Sequence, residues 1–216
     1  EKNPLIKLID ICTVTRVTFS LYYSKSFSKL FLELRNEVIL EIEKGNHISS
    51  RTIYGGTYAF MKNFLVKFGI KTTFLDITDL NAVAEAITPN TKMIYCESVS
   101  NPLLEVADIS ALSRIAKKNE LPLVVDNTFS PLTISPAKLG ADIVIHSLTK
   151  FINGTSDCVA GVVCGTTEFC LSLKDVNNGA GMLLGSTLDS LRAACILKNM
   201  RTLHIRMQQH SHNALY

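Results

Sequence analysis

Two short apolar runs that stop abruptly at polar side chains constrain the fold of this chain more than any other feature. Residues 121–125 read Leu-Pro-Leu-Val-Val and lead directly to Asp126, and residues 143–145 read Ile-Val-Ile and lead to Lys150. Both runs are rich in β-branched residues and are bounded by breakers, a pattern typical of buried parallel strands. Ligands of an open α/β sheet bind beyond the carboxyl ends of its strands, so Asp126 and Lys150 are candidates for a functional site.

The rest of the chain alternates between strand-like and helix-like segments. Such alternation predicts a doubly wound, mostly parallel α/β sheet. The predicted strands cover residues 48–53, 71–75, 91–97, 121–125, 143–147 and 158–164. The predicted helices cover residues 58–68, 80–87 (with residues 80, 83 and 84 facing inward), 109–118 and 188–210. The segment before residue 46 is less regular, with a strand-like stretch at 13–23 and a helix-like stretch at 31–44.

A lysine and an aspartate at neighbouring strand ends suggest a pyridine cofactor. The Lys150 amine would form a Schiff base with the cofactor, and the Asp126 carboxylate would pair with the ring nitrogen. Ser147 and Thr149 offer hydroxyl groups beside the lysine, which suits a phosphate. Taken alone, this Ser-x-Thr-Lys pattern is weak, because an exposed loop lysine after a strand is equally common.

Two further strand ends carry side chains that suit a flat ring. Tyr54 precedes a Gly-Gly turn, where its ring could stack on a cofactor. Asn101 follows Glu97 at the end of another predicted strand, where its amide could bond a ring hydroxyl. Four strand ends therefore point to the same chemistry.

Composition and charge remove several classes of function. The chain has 216 residues, a length that allows one large α/β domain. Its net charge of +3 is too small to indicate nucleic-acid binding. No apolar run is long enough to span a bilayer, so no membrane role is expected. The six cysteines form no C-x-x-C pair, and reduced thiols predict a cytoplasmic setting.

Some patterns have simpler explanations than a ligand site. Cysteines at positions 158, 164 and 170 favour core packing over a metal or disulfide, and histidines at 204, 210 and 212 favour helix-surface roles over a metal cluster. No metal is therefore expected. The glycines at 179, 181 and 185 miss the dinucleotide fingerprint, which argues against a nicotinamide-dependent dehydrogenase.

Five ordered motifs carry a resemblance to a known family. The motifs are Tyr-Gly-Gly-Thr at 54–57, Glu-Ser-Val-Ser-Asn-Pro at 97–102, Val-Asp-Asn-Thr at 125–128, the stretch from Leu139 through His-Ser-Leu-Thr-Lys at 146–150 to Gly161, and Arg201 to Ala214. In order and spacing they resemble the transsulfuration, or Cys/Met metabolism, family of pyridoxal-phosphate enzymes. This family includes cystathionine γ-lyases and γ-synthases, methionine γ-lyases and O-acetylhomoserine sulfhydrylases.

The resemblance implies a fold and a role for each motif residue. The fold would be the large domain of the fold-type I, aspartate aminotransferase-like enzymes. Three residues would be catalytic, namely Lys150, Tyr54 and Asp126. The cofactor-binding residues would be Tyr54 on the ring face, Asn101 on the 3-hydroxyl oxygen, Asp126 on the ring nitrogen, Ser147 and Thr149 at the phosphate, Lys150 in the Schiff base, and also Thr128.

The reaction implied is cleavage or replacement at Cγ of a sulfur amino acid or a homoserine ester. The choice between lyase, synthase and sulfhydrylase stays open, and so does the choice between dimer and tetramer for the homo-oligomer that the family implies. The alternative is a catalytically incompetent fragment that keeps the fold as an oligomerising module.

The chain departs from the family pattern at several positions. Ser-Phe-Ser-Lys-Leu at 26–30 replaces a small-residue turn that cradles the phosphate, and Lys29 would block the close backbone approach that glycine allows. Val99 replaces a proline, and Gly56 stands where methionine γ-lyases carry a cysteine, which weakens that assignment. These observations predict a divergent segment at 1–45, a cofactor-binding domain at 46–186, and a helix at 187–216 leading toward a C-terminal domain.

Overall fold

A six-stranded, mostly parallel sheet forms the centre of the computed structural model, which describes residues 45–216. The strands are β1 (Asn46–Ser50), β2 (Lys71–Leu75), β3 (Thr91–Glu97), β4 (Leu123–Asp126), β5 (Ile143–Ser147) and β6 (Gly161–Cys164). Their spatial order is β2-β1-β3-β4-β5-β6, and among these six strands only β6 runs antiparallel to its neighbour. The predicted α/β fold is confirmed.

The described part of the chain contains seven α-helices, three between strands and four after β6. They are α1 (Gly55–Ala59), α2 (Leu80–Glu85), α3 (Ile109–Lys118), α4 (Thr167–Ser172), α5 (Ala180–Leu183), α6 (Ser190–Met200) and α7 (Leu203–Asn213). Wider and tighter helical turns cover Phe60–Phe64, Leu65–Phe68, Pro136–Leu139 and Leu148–Ile152. Aspartate side chains begin three of the α-helices: Asp79 accepts the amide of Ala82 at 3.0 Å, Asp108 that of Ala111 at 2.9 Å, and Asp189 that of Arg192 at 3.0 Å.

Each face of the sheet carries its own apolar core. One core includes Ile94, Val125 and Val144 and continues to Leu203 and Met207 of α7. The other core includes Tyr95 and is covered by the helical turns Phe60–Phe64 and Leu65–Phe68, which follow β1 in the chain. Because alternate residues of a strand point to opposite faces, β3 contributes to both cores, as expected for a doubly wound sheet.

Several predicted boundaries differ from the structure. The first strand ends at Ser50 rather than at residue 53, because the Ser50 hydroxyl accepts the Thr52 amide at 3.2 Å and turns the chain. The predicted helix at 58–68 begins at Gly55 and divides into three helical segments. The predicted helix at 188–210 is two helices, α6 and α7, separated at Arg201 and Thr202. The last strand starts at Gly161, and Ala84 is exposed rather than inward-facing.

The prediction for residues 1–44 lies outside the described part of the chain, and so does the predicted phosphate turn at 26–30. The division into segments 1–45, 46–186 and 187–216 stays a prediction.

The strand order sets the location of the crevice. β2 lies on one side of β1 and β3 lies on the other, so the connections that follow β1 and β3 leave the sheet in opposite directions. Such a switch point opens a gap beyond the carboxyl ends of the two strands. Tyr54 follows β1 and Asn101 follows β3, so both border this gap.

Candidate active site

The aspartate lies at the end of one strand, and the lysine lies just beyond the end of the adjacent parallel strand. β4 and β5 are paired so that Asp126 is opposite Ile145. Lys150 lies in the helical turn Leu148–Ile152 that directly follows β5, and its side chain is exposed. The Lys150 backbone, at φ −88° and ψ −123°, interrupts the helical geometry of that turn. The structure therefore brings these two predicted residues to the same edge of the sheet.

Asp126 is buried, and its carboxylate is held by hydrogen-bond donors. One oxygen accepts the Thr128 amide at 2.9 Å, and the other lies 3.5 Å from the Tyr95 hydroxyl. A buried, oriented anion at the end of β4 is well suited to a cationic ring nitrogen.

Two neighbours of Asp126 report on the local electrostatics. Burial raises the pKa of the Cys96 thiol to about 12, and the Glu97 and Asp126 carboxylates add to this shift. Burial lowers the pKa of His146, while Asp126 and a hydrogen bond with the Asn127 backbone oppose that change. Burial therefore favours the neutral form of His146, a residue for which the sequence analysis predicts no role.

The hydroxyl groups of three predicted cofactor-binding residues differ in their hydrogen-bond partners. Ser147 Oγ is buried and has no hydrogen-bond partner among residues 45–216. The Thr128 hydroxyl accepts the Ser147 amide at 2.7 Å, which leaves its own proton to donate. Thr149 donates its hydroxyl to Ala160 O at 3.1 Å and accepts the Ala160 amide at 2.9 Å. Because a phosphate accepts hydrogen bonds, Ser147 and Thr128 fit it better than Thr149, whose role stays a prediction.

Glu97 joins the two loops that border the crevice. Its side chain is buried at the end of β3, with one oxygen accepting the Tyr54 amide at 2.9 Å and the other accepting the Asn101 amide at 3.0 Å. The Tyr54 side chain is half-buried and the Asn101 side chain is exposed. One carboxylate therefore fixes the loops of both predicted ring-binding residues. Sequence reasoning misses this role of Glu97, although an acidic residue at the end of a buried strand is a signal that could identify it.

The residues at this edge fit pyridoxal phosphate. The unpartnered Ser147 hydroxyl can meet a phosphate oxygen, the buried Asp126 carboxylate can meet a ring nitrogen, and the exposed Lys150 amine can reach a carbonyl carbon. Leaving a buried hydroxyl without a partner costs about 1–3 kcal/mol, which a bound phosphate would recover.

Other candidate groups have structural contacts instead. The cysteines at 96, 158, 164, 170 and 195 are free thiols. Over the described range 45–216, no three His, Cys, Asp or Glu side chains are grouped as metal ligands would be. His210 packs edge-on against the Phe151 ring, with 5.1 Å between centroids. None of the helices described in residues 45–216 has the length and apolar composition needed to cross a membrane.

Comparison with known proteins gives a consistent result. The family model described as Cys/Met metabolism PLP-dependent enzyme matches residues 34–216. Methionine gamma-lyase of Arabidopsis thaliana is 45% identical over 183 residues, which cover 83% of this chain and 42% of that protein. Cystathionine gamma-lyase of Bacillus subtilis is 41% identical, over 82% of this chain and 46% of that protein.

A solved structure matches the fold as well as the sequence. Cystathionine gamma-lyase from Lactobacillus plantarum, complexed with L-serine, superimposes with a TM-score of 0.80 and is 33% identical. The match covers 95% of this chain and 52% of that one. The chain thus spans about half the length of the relatives that it matches.

Proposed function

The chain belongs to the Cys/Met metabolism family of pyridoxal-phosphate-dependent enzymes, and from this premise we propose that Lys150 is its point of covalent cofactor attachment. The proposed reaction breaks or exchanges a bond at Cγ of a sulfur amino acid or a homoserine ester. One observation carries the proposal: Asp126 ends β4 and is buried, while Lys150 lies in the turn that follows the adjacent parallel strand β5 and is exposed.

Each residue has a defined task in this proposal. Bound pyridoxal phosphate withdraws electrons from the α-carbon of an amino acid when its ring nitrogen stays protonated. The Asp126 carboxylate holds that proton on the nitrogen. The Lys150 amine, once displaced by the substrate, would take the proton from Cα and shuttle it onward, and loss of a second proton, at Cβ, would supply the electron pair that expels the sulfur or ester group from Cγ. Tyr54 would stack on the ring and assist, as general acid or base, either the exchange of Lys150 for the substrate or the departure of the leaving group.

The remaining residues orient the cofactor. Ser147 and Thr128 donate hydrogen bonds to the phosphate, with Thr149 as a further candidate, and Asn101 bonds the ring hydroxyl. We further propose a homo-oligomer, as dimer or tetramer, in a cytoplasmic setting that keeps the described cysteines reduced. Residues 46–186 would form the cofactor-binding part, and residues 187–216 would lead toward a further domain.

The decisive experiment is chemical trapping at Lys150. The chain is mixed with pyridoxal phosphate, reduced with borohydride and digested, and the peptides are weighed by mass spectrometry. We expect the cofactor on the peptide that contains Lys150, and none there in the Lys150→Ala variant. Lys138→Ala, which removes an exposed lysine elsewhere, is the matched control and should label like the parent chain. Labelling spread over surface lysines, with no preference for Lys150, would refute the assignment.

Assays for products then separate the reaction types. A lyase releases ammonia, a 2-oxo acid and a thiol from a sulfur amino acid, whereas a replacement enzyme needs a second substrate before it forms product. Methionine, cystathionine and a homoserine ester with added thiol are the three substrates to compare.

A second candidate is a module that keeps the sheet and oligomerises without turnover. One observation favours this alternative: the Thr149 hydroxyl, predicted to bind the phosphate, already donates to Ala160 O at 3.1 Å and accepts the Ala160 amide at 2.9 Å. Cofactor attachment at Lys150 without product from any of the three substrates would support the second candidate.

A further inference from the structure

We propose that Arg206 is a positioning residue that fixes the backbone directly following Lys150, an inference that rests on the proposed role of Lys150. Arg206 belongs to α7, which lies far from Lys150 in sequence. Its effect would be on the backbone that follows the lysine, and through it on the location of the Lys150 amine.

The guanidinium group of Arg206 contacts that backbone directly. It donates hydrogen bonds to the carbonyl oxygens of Phe151 and Ile152, the latter at 3.0 Å. The same side chain donates to Asn199 O at 3.3 Å and to the Thr202 hydroxyl at 3.2 Å. Arginine alone offers several donors in a rigid fork, so no other side chain could make these bonds together.

The loop is shaped to receive this arginine. Gly154 has φ +79°, and a Cβ atom at that position would collide with the guanidinium of Arg206. The Gly154 amide donates to Lys150 O at 2.8 Å, so the backbone closes around the lysine where the arginine approaches it. A side chain at residue 154 would therefore disturb both the turn and the arginine.

A second side chain from the same helical pair reinforces the contact. Asn199 of α6 donates its amide to Asn153 Oδ1 at 2.9 Å and to the Thr155 hydroxyl at 3.0 Å. Arg206 and Asn199 thus hold both the backbone and the side chains of residues 151–155. We call this set of contacts the loop clamp.

The clamp compensates for the mobility expected of an exposed lysine. The Lys150 side chain reaches into solvent, so its amine can be directed only if the backbone below it is fixed. Upstream, β5 fixes that backbone; downstream, the clamp does so. Burial lowers the pKa of Arg206 from its ordinary value, as expected for a guanidinium partly withdrawn from water, where its hydrogen bonds gain strength.

Amide hydrogen exchange on the cofactor-free chain tests the clamp locally. The reporters are the amides of Asn153 and Gly154, which bond to Leu148 O and Lys150 O, both at 2.8 Å. The reference is the Asn127 amide, which bonds to Ile145 O at 2.7 Å inside the sheet. The variants are Arg206→Met, which keeps an apolar stem, Arg206→Lys, which keeps one charge, and Arg201→Met, which alters an exposed arginine between α6 and α7.

We expect the reporter amides to exchange about tenfold faster in Arg206→Met, with less acceleration in Arg206→Lys and none in Arg201→Met. The Asn127 reference should be unchanged. Equal exchange at the reporters in Arg206→Met and the parent chain would overturn the inference, and so would equal acceleration of reporters and reference. If Arg206→Met does not fold, the Arg206→Lys variant decides by the same criteria.

Cofactor attachment provides the second measurement. The rate of borohydride-trapped labelling at Lys150 should fall about tenfold in Arg206→Met and recover in part in Arg206→Lys. If the parent chain does not label at Lys150, the proposed function fails, while the exchange result still decides whether the clamp exists. If the parent labels and Arg206→Met labels at the same rate, the proposed function survives and the positioning role is refuted.

Discussion

Two buried polar side chains of this sheet both lack hydrogen-bond partners, but only one of them indicates a ligand site. Within residues 45–216, Ser147 Oγ at the end of β5 and both ring nitrogens of His47 in β1 are buried without hydrogen-bond partners. His47 is opposite Thr72 of β2, whose hydroxyl is also buried and unpartnered in this part of the chain. Each group pays a desolvation cost for being where it is.

Location along the strand distinguishes the two. Ser147 is the last residue of its strand, at the edge where a ligand can approach, so a bound phosphate can satisfy it. His47 lies inside β1, fully buried on the face of the sheet that carries Met93 and the second apolar core, away from the carboxyl end of the strand. An unpartnered polar atom therefore indicates a site only where the topology gives a ligand access to it.

The largest expected effect concerns Asp126, the anionic counterpart of Ser147 at the same edge. Asp126→Ala should weaken pyridoxal phosphate binding by about 3–5 kcal/mol, because the ring nitrogen would lose its buried partner. Titration of visible absorbance with cofactor measures this loss. Asp142→Ala is the control, since this carboxylate accepts the Leu123 amide at 2.9 Å near the opposite edge. Equal losses in both variants would mean that the two edges do not differ in function.

The second effect tests His47 by pH. Burial lowers the pKa of His47 to about 4, so the unfolded chain takes up a proton near pH 6.5 that the folded chain refuses. The free energy of unfolding should therefore be highest above pH 6.5 and should fall as the pH drops toward 4, by about 2 kcal/mol between pH 7 and pH 5. The lowered pKa of His146 acts in the same direction.

Urea unfolding at pH 7 and pH 5 measures this dependence. His47→Leu should reduce the acid loss and leave cofactor binding unchanged, whereas His204→Leu, at an exposed position, should alter neither. A parent chain that is equally stable at both pH values would contradict the burial argument.

The third effect separates the two loops that Glu97 joins. Glu97→Gln keeps the shape of the side chain but replaces one acceptor with a donor, which would face the amide of Tyr54 or of Asn101. We expect cofactor binding to weaken by about 1–3 kcal/mol. Glu105→Gln is the control, because that carboxylate accepts the Thr52 hydroxyl and contacts neither amide. Unchanged affinity in Glu97→Gln would show that the loops hold their geometry without it.

The smallest effect returns to the first comparison. Ser147→Ala removes the unpartnered hydroxyl, so the cofactor-free chain should be as stable as the parent or more stable, while cofactor affinity falls by about 1 kcal/mol. His47→Leu should share the stability gain without the affinity loss. Calorimetric unfolding with and without pyridoxal phosphate measures both quantities. A Ser147→Ala variant with unchanged affinity would assign the phosphate to other donors.

Local signals explain what the sequence could predict. The limits of β2 and β3 and of α3 match the predictions because each element is bounded by residues that act within one turn, such as Asp108 at the start of α3. The predictions for Asp126 and Lys150 rest on a related signal, because polar residues at or just after the end of a buried strand are visible in the sequence itself.

Long-range contacts explain the rest. Glu97 lies 43 residues from Tyr54, and Arg206 lies 54 residues from Ile152, so neither partnership leaves a local pattern. Both bonds go to backbone groups, which carry no side-chain signature. The strand order and the reversed direction of β6 likewise depend on tertiary packing, and so does the break between α6 and α7.

The connection from β5 to β6 has a consequence for how this family can vary. Ser147 and Gly161 are opposite each other in the antiparallel pair, and the Thr149 hydroxyl both donates to Ala160 O and accepts the Ala160 amide. The segment that carries Lys150 therefore leaves and rejoins the sheet at one point. The segment is therefore a loop with both ends fixed to the sheet. Insertions or deletions within this loop would change how far the Lys150 amine extends from the sheet while every strand stays in register, so the position of the amine can vary without a change in the fold.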